Sequence, residues 1–155
     1  MPRTARAPRV LGLLAATLLA SVSLSACTTF GYACNEPGYA NTLDVQVVGS
    51  EEAVAQVVLV RMCDEEGCSQ TLEQSRLPAI PESDLPEHMA TATGPGRWTI
   101  ARGMTTPAQA TITALAADGT TVTEVTPELS WRPVDPFDRC EGPKTAGTVD
   151  LSVAD

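Results

Sequence analysis

An all-β fold of two antiparallel sheets packed face to face is what this chain predicts, and three features predict it. Apolar residues recur at alternate positions in run after run, the period of a strand whose two faces meet different surroundings. Asp118-Gly119 separates two such runs, where a tight hairpin turn needs a positive φ. Aromatic residues are few, two each of Trp, Tyr and Phe. The core must therefore be filled by Val, Ala, Leu and Ile, which suit thin sheet layers better than a wide ligand cavity.

In chain order, "TLDVQVV" sets Leu43, Val45 and Val47 against Asp44 and Gln46. "AVAQVVLVRMC" is apolar on both faces, as a buried central strand would be. A helix through Val54, Val57, Val58 and Met62 competes, but four valines and the lack of a cap in this run favour the strand. "CSQTLEQS" and "RWTIA" read as further strands, "AQATITALAADGTTVTEV" as a hairpin, and "ELSWR" and "AGTVDLSV" as the last strands. Seven or eight short strands without a convincing helix predict an antiparallel immunoglobulin-like β-sandwich. Two stretches are irregular. "LPAIPESDLPEHMATATGPG", residues 77 to 96, holds four prolines and two glycines and reads as a stiffened crossover between the sheets. Because long loops carry function, it is also the first candidate contact loop, through Glu82, Asp84, Glu87 and His88. The second irregular stretch, "RPVDPFDRCEGPK", is pinned near its middle by Cys140.

Five cysteines leave one unpaired in an oxidising compartment. Cys63 and Cys68 flank "DEEG" at the end of a hairpin, where their Cα atoms can approach to the ~4.4 to 6.8 Å that a disulfide requires. Of the three connectivities open to four cysteines, this one leaves Cys34 with Cys140. That second bridge would close a loop of about 100 residues, worth about 4.7 kcal/mol in the chain-entropy model.

Cys27 is then the odd cysteine, and its setting explains it. Arg3, Arg6 and Arg9, with no acid, precede the apolar run "VLGLLAATLLA" and a series of small residues, the form of a secretory signal. The run is too short to span a bilayer, which needs roughly 20 apolar residues. At its end Leu24-Ser25-Ala26-Cys27 resembles the lipobox of bacterial lipoproteins, an aliphatic residue and two small residues before cysteine. The resemblance covers residues 1 to 27. It implies that the Cys27 thiol receives a diacylglyceryl group, that a dedicated peptidase cuts after Ala26, and that the new amine is acylated, with palmitate for example. Two acyl chains hold a protein on a membrane where one barely does. The organisation expected is a signal peptide over 1–26, a lipidated cysteine and tether over 27–33, and the sandwich over 34–155, on the extracytoplasmic face of the cell membrane. Small size, paired cysteines and nine arginines to one lysine are similar to small surface lipoproteins of high-GC Gram-positive bacteria, a likeness that transfers no active site.

Removing residues 1 to 26 takes three arginines and no acid, so the formal charge moves from 10 − 19 = −9 to 7 − 19 = −12. Nucleic acid is a disfavoured partner, since phosphate binding needs clustered Lys and Arg. Catalysis finds little material: there is one histidine, His88, and no Gly-x-Ser-x-Gly elbow, phosphate loop or His-Glu-x-x-His. His88 reads as a solvated loop residue. A zinc site of four thiolates is disfavoured because the spacing lacks repeated short knuckles. Neither "DEEG" nor "PESDLPEH" has the alternating acids of a calcium loop. Met62, His88, Met89 and Met104 are a conceivable Cu(I) set, with core filling the favoured role of the methionines. The expectation is thus a non-enzymatic, lipid-anchored protein without metal or cofactor, acting by binding or structural association with a protein of the envelope. The rival is a small-ligand or metal-binding envelope protein, and the third reading a carboxylate-based hydrolase.

Overall fold

The computed structural model describes residues 38–137, 139–140 and 142–154. In chain order these form β1 (Asn41–Val48), α1 (Glu51–Ala55), β2 (Val57–Asp64), β3 (Gly67–Cys68), α2 (Leu72–Ser75), a 3-10 turn (Glu82–Asp84), β4 (His88–Gly94), β5 (Arg97–Arg102), β6 (Thr111–Ala116), β7 (Thr121–Val125), β8 (Arg132–Pro133) and β9 (Lys144–Ser152). One sheet has the order β4-β5-β1-β9-β8 and the other β3-β2-β6-β7. The pairs are antiparallel except β1 with β9, which run parallel, Val45 opposite Val149 and Val47 opposite Leu151. This departs from the purely antiparallel expectation. Parallel neighbours need a long connection, and here the first and last strands have the whole domain between them.

Core positions follow the alternation read from the sequence. Leu43, Val45 and Val47 are buried on β1, and they join Ile100, Leu151, Val60, Met62, Ile112 and Ala114 in one cluster between the two sheets. Around "ADGT" the turn works as expected, with positive φ at Gly119 (88°) and the Gly119 N–H donating to the Ala116 carbonyl.

Four sequence expectations need correction, each for a local reason. The run expected to be strand from Ala53 opens as helix α1, because Ser50, three residues before it, accepts the Ala53 N–H at 3.2 Å and so supplies the missing cap. Glu51 and Glu52 then suit the helix N-terminus. "CSQTLEQS" is strand only at its first residue; Thr71 and Gln74 form a reciprocal capping box that starts α2. "ELSWR" contributes only Arg132 to a strand, while Leu129 is buried and the Trp131 indole donates to the Pro107 carbonyl at 2.8 Å. Finally, the long crossover is shorter than expected, since His88–Gly94 is edge strand β4, joined to β5 by a turn whose Gly96 has φ 63°.

Candidate functional site

Strand alternation carries the core face of three strands into charged residues at one end of the two sheets. On β2 the inward series Val60, Met62 continues to Asp64; on β5 Trp98, Ile100 continues to Arg102; on β4 it begins with His88. These three meet. His88 Nε2 lies 3.2 Å from Asp64 Oδ1, and Arg102 Nη2 lies 3.1 Å from Asp64 Oδ2, with each of the three side chains only 1% exposed. Arg102 Nη2 also donates to Glu66 Oε2 at 2.7 Å and to the Thr105 hydroxyl, which itself donates to Glu66. The loop bearing Thr105 is held by buried Asn41, whose Nδ2 donates to the carbonyls of Met104 and Thr105 at 2.9 and 3.1 Å. Its Oδ1 accepts the Lys144 N–H at 2.7 Å.

The cluster closes this end electrostatically. Burial raises the Asp64 pKa, but the Glu66 N–H, the His88 hydrogen bond and the charges of Arg102 and His88 more than offset it, and the carboxyl stays below its ordinary range. Arg102 Nε and Nη1 and His88 Nδ1 are buried without a hydrogen-bond partner among the described residues. His88 is therefore not the solvated loop residue that the sequence suggested. It does sit beside acids, yet with both side chains 1% exposed the pair does not present itself to a substrate.

Beside this clasp a short segment stitches the two sheets together. The Ser69 N–H donates to the Met62 carbonyl at 2.7 Å, and the Ser69 hydroxyl accepts the Met62 N–H at 3.0 Å. On its other side Ser69 bridges to His88. The buried side chain of Gln70 then accepts the Ala90 N–H at 2.8 Å and donates to the Ala90 carbonyl, as another strand's main chain would. Beyond Gln70 nothing is stitched. Toward the far end, the edges of β2 and β4 border an open groove. One part, of about 410 Å³, lies against Leu59, Leu77, Ile80 and Met89. The next, of about 720 Å³, lies against Val54, Val57, Gly94 and Gly96. Val58, Ala92 and Trp98 line both parts, so the two are continuous. Among the described residues Glu51 is the one charged residue on these walls.

Of the residues singled out from sequence, Cys63 and Cys68 are bonded to each other, at the tip that carries Asp64 and Glu66. Cys140 is disulfide-bonded, while Cys34, its expected partner, and Cys27 lie outside the described residues. Glu82, Asp84 and Glu87 are exposed or half-buried on the loop, and buried His88 does not join them at the surface. Met62 is core, whereas Met104 is 56% exposed. Among the described residues no group of three or more His, Cys, Asp or Glu is placed to hold a metal ion, and no helix is long and apolar enough to cross a membrane. Arg102, Glu66, Thr105, Gln70 and Trp98 were not anticipated; extending the period-two core face to the strand ends would have found Asp64, Arg102 and Trp98. Comparison with protein families, curated proteins and solved structures gives no match to this chain.

Proposed function

We propose that this chain is a lipid-anchored envelope protein whose immunoglobulin-like domain acts by binding, not by catalysis, and that the groove between β2 and β4 is its binding site. The observation that carries the reading is the groove itself, an apolar-walled opening where two strand edges part. Such a concave apolar site with few polar groups is the usual form of a ligand site. Burial of the His88–Asp64 pair supports the non-enzymatic half of the reading. The lipobox at Leu24 to Cys27 supports the anchor. A lipid on Cys27 would tether the chain on the N-terminal side of Asn41, and Asn41 lies at the clasp end. The groove opens at the other end, by Val47, Gly49 and Gly96.

A photo-crosslinking side chain placed at Val58, 40% exposed in the groove, tests this in intact cells, with Glu124 on β7 as the control position. Adducts from Val58 and none from Glu124 are expected. Equal labelling from both, or labelling from neither, would remove the groove as the site.

A further inference from the structure

We infer that the groove takes an extended peptide of another protein, apolar with basic flanks, which adds as a strand to the edge of β4. The inference rests on the binding reading above and names its ligand. Its basis is the row begun by Ser69 and Gln70. Met62 turns its N–H and C=O toward Ser69, while Val60, next in the same alternation, is fully buried and lines neither part of the groove, so the open edge is that of β4. Ala90 turns its main chain toward Gln70, so the Ala92 N–H, two residues on, faces the groove. The chain occupies this row for two residues and then leaves it, because the Thr71–Gln74 capping box turns it into α2. What remains is an open strand position along β4, with the Ala92 N–H on one side and side-chain pockets at Trp98 and at Leu77 and Ile80.

Three considerations select the occupant. An acyl chain would fill the apolar walls but leave the Ala92 N–H unpaired, whereas a peptide backbone satisfies it. A second copy would have to bring the same edge with the same flanking Glu51 and Glu52, so two acidic surfaces would meet. Glu51 on the wall and Glu52 beside it in an acidic chain favour basic over acidic flanks.

The probe is a blocked heptapeptide of alternating valine and threonine with lysine at each end. Its controls are a fully N-methylated version and one with glutamate in place of lysine. All are titrated into the full chain while amide shifts and hydrogen exchange are read by NMR. Expected are slowed exchange at the β4 edge amides, Ala92 foremost, at least about tenfold weaker binding for the N-methylated peptide, and weaker binding for the glutamate peptide. Val58→Lys, checked for an unchanged melting temperature, should abolish the effect. If the N-methylated peptide binds equally and shifts only the surroundings of Trp98, strand addition is overturned while the groove stands as a binding site. If the chain alone is a dimer with these amides already protected, the occupant is a second copy and the inference is overturned. If no probe perturbs the groove and Val58 captures nothing in cells, both the inference and the reading beneath it fall.

Discussion

Asp64→Asn tests the clasp most directly, because it keeps the shape of the side chain while removing its charge and turning one acceptor oxygen into an NH2 donor. In the folded chain that charge faces Arg102 and His88, both 1% exposed. Removing one partner of a buried ion pair costs about 3–5 kcal/mol, since the other charge is left uncompensated. Arg102 keeps Glu66 at 2.7 Å, but Glu66 is 47% exposed and its charge is partly screened. That lowers the expected loss to about 2–3 kcal/mol. A domain of this size loses about 4 °C per kcal/mol, so the melting temperature should fall by about 8–12 °C at neutral pH. Acid titration adds an independent readout. Asp64 has a lowered pKa, so its stabilisation is fully present above the ordinary carboxylate value and is lost as pH falls through the lower folded value. The variant should therefore lose less stability on acidification than the parent. Some slope will remain, because Asp118 is also held low by the Thr120 N–H and hydroxyl. Thermal melts and urea titrations from neutral pH into the acid range measure both effects. A loss below about 1 kcal/mol, or an unchanged acid slope, would refute the clasp as a compensated charge cluster.

Replacing Cys63 and Cys68 together with Ala opens a six-residue loop and should cost about 2 kcal/mol in the chain-entropy model, read by urea titration with and without reductant. Gly96→Ala should destabilise by about 1–2 kcal/mol in a thermal melt, since its φ is 63° and a Cβ there would lie 2.9 Å from Val54 Cγ1 and 3.0 Å from the Val47 carbonyl. Gln70→Ala removes both hydrogen bonds to the Ala90 main chain and should cost about 2 kcal/mol, with faster hydrogen exchange at Ala90. Mass spectrometry of the membrane-extracted protein should find diacylglyceryl-modified Cys27 at the N-terminus, and Cys27→Ala should abolish it.

The core strands were legible because each states its fold in its own residues. Leu43, Val45 and Val47 alternate without interruption, and the Asp118-Gly119 pair marks its hairpin. What failed lay at boundaries. The helix in "EEAVA" is decided by Ser50 outside the apolar run, and α2 by a capping box that competes with strand-like composition. β4 was hidden because the one apolar residue it buries is Ala90, too small to give a hydrophobic signal among prolines and glycines. The clasp was hidden for a different reason. Asp64, His88 and Arg102 are 24 and 14 residues apart in succession, and only the β2–β4–β5 geometry brings them together. Charged residues at strand ends read as solvated unless the inward parity is carried through to them.

The treatment of its edges argues that the groove is built and not left over. An unpaired strand edge invites association, and native sheets blunt it with charge, proline or brevity. This chain does so at three edges away from the groove. β3 has two residues, β8 has two and ends in Pro133, and β7 carries exposed Glu124, which accepts from the Thr113 hydroxyl at 2.9 Å. Beside the groove the same devices are absent from the strand residues that line it: Val58, Ala90 and Ala92 are apolar. Gln70 blunts only the closed end, by pairing Ala90, and the next residue turns the chain away. One segment, Cys63 to Gln70, thus sets both ends of the domain. It brings Asp64 and Glu66 to Arg102, and it begins the row that the groove leaves unfinished. Because the clasp fixes where β2 and β4 start to diverge, loosening it should alter the width of the gap. The Asp64→Asn variant should then bind the valine-threonine peptide more weakly at a temperature where it is still folded. Unchanged affinity there would show that the stitch at Ser69 and Gln70 sets the groove without help from the charges.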